Sequence, residues 1–180
     1  MSDFTEEQAL KMDKASDHFF ITLKNNIYGL RFTGFKLRDI NTQKVYKEYY
    51  SKEPNELDPL SEHMFEYRFP NDILKGQKHL GLTLRLVIGD KLVKNLVLLE
   101  RHYISWKLAA NFKFKFPIFF PNSQNEVEFI YDIPELSPEA KEKLEKGEDI
   151  PAESDTFVFV EGKLNIHRRA RYIYYGEAFF

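Results

Sequence analysis

From residue 27 onward the chain is dominated by short runs in which apolar and polar positions alternate, the period of a half-buried strand. Ile27 to Ile40 is the first run. Tyr28, Leu30 and Phe32 share one phase, Phe35 and Leu37 the other, and Gly34 sits at the slip. A glycine at a phase slip predicts a β-bulge. Asp39 to Thr42 reads as a turn, and Lys44 to Tyr50 as a returning strand. Ser51 to Glu62 is polar, contains two prolines and reads as a loop. Met64 to Phe69 places Phe65, Tyr67 and Phe69 on one side, and Pro70 ends it. Asn71 to Leu74 fits one helical turn before Gly76. Leu82, Leu84, Leu86 and Ile88 share a strand face, with a turn at Gly89-Asp90 and Leu92 to Ile104 as the expected hairpin partner. Ser105 to Ala110 reads as a short helix. Phe112, Phe114, Phe116 and Ile118 then line one face of a strand, with Lys113 and Lys115 opposite and Pro121-Asn122-Ser123 as its stop. Glu126 to Ile133 is a further mixed strand. After an acidic loop, Thr156 to Val160 and Lys163 to Tyr175 form a hairpin about Glu161-Gly162.

Helical signals are few. Thr5 to Lys14 carries a capping threonine with Glu6, Glu7 and Gln8 in the first turn. Its thin apolar stripe leaves two readings open, a solvated lead-in or a segment lying over an opening in the domain. His18 to Leu23 is short and apolar, and Asn25-Asn26 marks a turn. Leu136 to Gly147 has Ser137 as cap, Pro138 at the first position and Gly147 past the end. Crossover helices, which parallel sheets require, are missing between strands. The expected fold is all-β: a two-layer antiparallel sandwich with short peripheral helices. Residues 1–26 form its lead-in and residues 27–180 the domain.

Composition narrows the chemistry. Of 180 residues 16% are aromatic, with 17 Phe and 10 Tyr, which suits strands and large buried areas. The formal net charge of -2 gives no electrostatic case for nucleic acid or an anionic membrane. There is no cysteine, so disulfides, thiolate catalysis and Cys-ligated metals are excluded. The N-terminal twenty residues lack an apolar signal core, and no apolar run reaches spanning length, so a cytoplasmic address is expected. Ser2 excludes myristoylation of the chain itself.

Glu100 and His102 stand two apart and share a strand face with Leu96, Leu98 and Ile104. Val97, Leu99 and Tyr103 lie opposite with Arg101. Both faces are partly apolar, so parity leaves open whether the pair meets solvent or an apolar chamber. A buried carboxylate there would need donors: the imidazole, a tyrosine hydroxyl or a ligand amide. No other histidine lies at ligand spacing, and no metal or other cofactor is expected. The Phe112/Phe114/Phe116 ladder and the Tyr172/Tyr174 pair read either as core or as the wall of a ligand cavity. His167 to Arg171 is a basic run that reads as a solvated edge, with a phosphate or protein contact as the alternative. No phosphate loop, nucleophile elbow or zinc helix is present, and an enzyme is not expected.

Four stretches in order carry a family likeness: NNIYGLRFTGFKLRDI, GDKLVKNLVLLERHYISWKLAANFKFKFPIFFPNSQN, FIYDIPELS and SDTFVFVEGKLNIHRRARYIYYG. Over roughly Ile27 to Gly176 the chain resembles the uncoordinated-119 family of lipid-binding chaperones. It more distantly resembles the phosphodiesterase delta subunit. The resemblance implies an immunoglobulin-like sandwich with a hydrophobic pocket between its sheets. It implies a carrier of N-myristoylated proteins that delivers them to cilia or membranes, released by an ADP-ribosylation-factor-like GTPase. It places Glu100 and His102 inward, with Tyr67, as the polar groups that read the lipid's attachment point. The wall it implies comprises Phe32, Phe35, Leu84, Leu86, Leu98, Phe112, Phe114, Phe116, Tyr172 and Tyr174. Two departures bear on cargo choice: Val158 replaces an aromatic residue with a polar tip, and Pro117-Ile118-Phe119-Phe120 replaces a smaller pattern. A carrier of prenylated proteins is the alternative within the fold, and a sandwich filled by its own aromatics the alternative outside it.

Overall fold

The computed structural model describes residues 2–51, 64–76 and 79–176. Nine strands are present among these residues: β1 (Arg31–Asp39), β2 (Val45–Tyr50), β3 (Met64–Pro70), β4 (His79–Val87), β5 (Val93–Ile104), β6 (Lys107–Phe119), β7 (Gln124–Asp132), β8 (Ile150–Val160) and β9 (Lys163–Tyr175). Two short helices, α1 (Glu6–Leu10) and α2 (Pro138–Glu145), are peripheral. One sheet has the order β2-β1-β4-β7 and the other β3-β9-β8-β5-β6. The all-β sandwich is therefore as the alternation predicts. One pair departs from antiparallel: β3 runs parallel to β9.

Local signals account for several boundaries. Thr5 and Gln8 make a reciprocal capping box that starts α1, and Ser137 caps α2 with Pro138 in its first turn. The pairing of β1 with β4 slips between Phe32 and Gly34, where the bulge is expected. A Cβ on Gly34 would stand 2.2 Å from the Tyr50 ring, so only glycine lets β2 close over this point. β1 starts at Arg31 rather than Ile27, because the Asn26 side chain bonds both the N–H and the C=O of Leu30 and holds a turn.

Other expectations are corrected. The chain between Ser105 and Ala110 is not helical. Ser105 and Trp106 both take positive φ and form a two-residue hairpin joining β5 to β6, with Ile104 paired to Lys107. The sequence lacks the Asn-Gly that usually announces such a turn. β4 and β5 are not a hairpin either. β4 pairs with β1 and β7, whereas β5 lies in the opposite sheet. Gly89 is a crossing point: its N–H donates to Tyr28, its C=O accepts from Asn122, and a Cβ would sit 2.6 Å from the Tyr28 oxygen. β8 begins at Ile150, six residues before Thr156, its start masked in the pattern by Pro151, Glu153 and Asp155. The loop expected over Ser51–Glu62 lies, apart from Ser51, outside the described residues.

The basic run at 167–171 is not a solvated edge. It belongs to β9, flanked by β3 and β8, and His167 is fully buried. The N-terminal segment explains why β5 is apolar on both faces. Ala9, Ile21, Phe4 and Phe20 pack on Leu99, Phe157 and Phe159 across the outer face of the five-stranded sheet. The side chains of Arg101 and Tyr103 donate to the carbonyl of Met12. The segment thus covers the outside of a sheet, not an opening between sheets.

Candidate functional site: a cavity between the sheets

The even-numbered residues of β5 face the opposite sheet, and with them Glu100 and His102. Sandwich interiors are normally filled by interdigitating side chains. Here an open cavity of about 570 Å³ remains, well within the ~300–1,000 Å³ of small-molecule sites. The four-stranded sheet supplies Phe32, Phe35, Leu82 and Leu84, and β7 adds Phe129 and Tyr131. The five-stranded sheet supplies Tyr67, Leu98, Glu100, His102, Phe112, Phe114, Tyr172 and Tyr174.

Strand register orders these groups into rows. Leu98, Val158 and Ile166 oppose one another across β5, β8 and β9. They belong to a closed apolar cluster with Leu86 and Leu96, which Phe116 packs against. Leu86 and Phe116 therefore stand in the packed end, apart from the walls of the main cavity. Val158 is also fully buried there. The next row is Glu100, Thr156 and Arg168, and the one after contains His102 and Ser154. From there the tyrosines begin. Beyond them Ile104, Ile73, Leu74 and Leu80 also line the cavity and belong to a second packed apolar cluster, so the polar groups form a band between two apolar regions.

The polar band is internally bonded. His102 Nδ1 stands 3.6 Å from Glu100 Oε1, with both side chains largely withdrawn from solvent. His102 Nε2 lies 3.1 Å from the Tyr174 hydroxyl, and the Tyr172 hydroxyl lies 3.0 Å from Ser154 Oγ. Burial pushes the hydroxyls of Tyr131, Tyr172 and Tyr174 well above the ordinary tyrosine range, and the nearby Glu100 carboxylate adds to it. These hydroxyls stay protonated. With Tyr174 as donor, His102 Nε2 accepts, which leaves the ring proton on Nδ1, the nitrogen nearer Glu100. Tyr67 stacks on Tyr172 at 5.4 Å and meets Phe35 edge-on.

Among the lining residues that the sequence reading missed are Leu82, Phe129, Tyr131, Thr156 and Arg168. Tyr131 follows Val127 and Phe129 in strict alternation along β7, a signal that was available. Arg168 shares the parity of Tyr172 and Tyr174. Thr156 is opposite Glu100, but no local pattern marks it. No group of metal-ligating side chains occurs among the described residues. No helix among them is long and apolar enough to cross a membrane.

Residues 24–174 match the protein family described as "GMP-PDE, delta subunit". The chain is 32% identical over 184 residues to Protein unc-119 homolog B-B of Xenopus laevis, which covers 98% of this chain and 76% of that protein. It is 33% identical to Protein unc-119 homolog B of Danio rerio, over 97% of this chain and 75% of the relative. Protein unc-119 of Caenorhabditis elegans is 31% identical, over 96% and 80%. The chain belongs to the unc-119 family. Membership gives it a lipid-binding, carrier-type role in a family of binding proteins rather than enzymes. An apolar cavity with a band of polar groups in its wall is the feature such a role needs.

Proposed function

We propose that this unc-119 family protein carries N-myristoylated proteins, holding the acyl chain in the cavity between its sheets. The observation that carries the reading is the polar band of Glu100, His102 and the tyrosines set in an apolar cavity, next to the Leu98/Val158/Ile166 row. A buried acyl chain gains about 0.8 kcal/mol per methylene, on the order of 10 kcal/mol in all before ordering costs. That term is the same for any acyl chain, so polar groups at the linkage provide selection. Glu100 takes the amide N–H of an acylated glycine, and His102 and Tyr174 hold the carboxylate in place. Tyr67 and Tyr172 flank the linkage, while Phe32, Phe35, Leu84, Phe112 and Phe114 enclose the chain. Leu86 and Phe116 stop it at the closed end. A prenylated cargo is joined to its lipid through a thioether, so the linkage itself offers Glu100 no N–H, which favours the acyl reading.

Fluorescence polarisation with one N-terminal Gly peptide, with and without its myristoyl group, tests this. Strong preference for the acylated form is expected, weakened about tenfold by Glu100→Gln through loss of a charged acceptor. Equal affinity for the two forms would remove the reading. A farnesylated peptide that binds as well, and ignores Glu100→Gln, would favour a prenyl carrier. Release by an ADP-ribosylation-factor-like GTPase and delivery to cilia rest on family membership. Stopped-flow dissociation with the GTP-loaded partner checks the first, and localisation of a tagged chain the second.

A further inference from the structure

Glu100 is opposite Thr156, and Thr156 is opposite Arg168, on three adjacent strands. All three line the cavity. Two strand spacings, about 10 Å, separate the acid-bearing and guanidinium-bearing positions. This is the first polar row met from the closed end.

Arg168 differs from its neighbours in the basic run. Arg169 turns to the N-terminal segment and donates to the Ser16 carbonyl, and Arg171 pairs with Glu153. The half-buried Arg168 guanidinium lies 4.5 Å from the Phe65 ring centre and 5.3 Å from that of Phe32. Among the described residues it has no carboxylate partner. Ring contacts of this kind engage the cation's charge and leave its N–H donors able to meet an anion. Lys47, over the Tyr67 ring at 5.6 Å, is a second cation among the lining residues.

A cation partly withdrawn from water gains from meeting an anion. An amide-linked acyl chain brings none. We infer that Arg168 receives a carboxylate carried by the acylated ligand, so that an acid close to the lipid linkage is a specificity element of this cavity. The inference rests on the carrier reading above. Its geometry is consistent: an extended chain advances about 3.3 Å per residue, so a linkage at Glu100 brings the third or fourth residue to Arg168. The carboxylate has two possible sources, an acidic side chain of the cargo or the head of a free fatty acid.

Polarisation assays with myristoyl-Gly peptides that differ only by Glu or Gln at the third or fourth position, with myristate as competitor, separate these. The wild-type protein is expected to prefer the Glu peptide about tenfold or more. In Arg168→Gln that ratio falls towards one, and Arg168→Lys, which keeps charge but loses the planar fork, lies between. Thermal melts establish that the variants are folded. A wild-type ratio near one, with myristate competition that weakens in Arg168→Gln, assigns the carboxylate to the fatty acid. A ratio near one with competition indifferent to Arg168 overturns the inference, as does a preference that survives in Arg168→Gln. A myristoylated Gln peptide that binds no better than its unacylated form removes the carrier reading instead, and this inference with it.

Discussion

Asp155 and His167 show how a polar cluster works where water is absent. Both are fully buried under the N-terminal segment. His167 Nδ1 accepts from the Phe20 N–H at 3.2 Å, so the ring proton is on Nε2, which donates to Asp155 Oδ1 at 2.8 Å. Asp155 Oδ2 accepts from the Ser16 N–H at 2.8 Å. Burial holds His167 below the ordinary histidine range. Asp155 opposes that shift, while Arg169 and His18 reinforce it. The folded value is thus below the unfolded value of about 6.5, and the unfolded chain takes up the proton first as pH falls. Stability from this group is full above about pH 6.5 and is lost as pH drops through the folded value. Melting temperature should therefore fall between pH 7 and 5 in the wild-type protein. His167→Gln, which has no proton to take up, should show a flatter profile, and parallel profiles would exclude His167 as the source.

The N-terminal segment is an element whose role only its partner explains. α1 is a five-residue helix with one buried residue, Ala9, and is too short to be stable alone. It is held because the outer face of β5, β8 and β9 offers Leu99, Phe157 and Phe159, and because Arg101 and Tyr103 bond the Met12 carbonyl. Phe4 stacks on Phe20 at 4.0 Å and meets Phe157 at 5.3 Å. Phe157→Ala should cost about 3–5 kcal/mol in denaturant melts. A double-mutant cycle with Phe4→Ala should return about 0.5–1.5 kcal/mol of coupling, the size of an aromatic pair. Zero coupling would detach the segment from the sheet.

For the molecule as a whole, the cavity is a place where packing is withheld. Aromatic rings line it rather than fill it, and the closed cluster at one end sets its depth. Ala110 lines the wall beside His102 in the β5–β6 pairing. Ala110→Trp should occupy part of the space, abolish acyl-peptide binding and leave the melting temperature at or above the wild-type value. The wild-type protein, in contrast, should gain melting temperature with saturating acylated ligand, as a folded-state ligand requires. A Trp variant that unfolds, or still binds with full affinity, would contradict the placement of that wall.

The sequence by itself determined most of the strands, though not the start of β6 or of β8, since alternation is local and needs no partner to be read. It determined the Gly34 bulge, the Glu161-Gly162 hairpin and the caps of both helices for the same reason. Parity along β5 put Glu100 and His102 on one face, and family likeness chose the inner side for them. Tertiary structure decided what local chemistry left degenerate. The Ser105-Trp106 turn uses non-glycine residues at positive φ, so the sequence there reads as helix. Gly89 reads as a hairpin turn, but strand partners are chosen by long-range packing, and the chain crosses to the other sheet. Arg168 and Thr156 joined Glu100 only through register across three strands. Both faces of β5 are apolar because each is covered, one by the opposite sheet around a cavity, the other by a distant N-terminal segment. No window along the chain contains that fact.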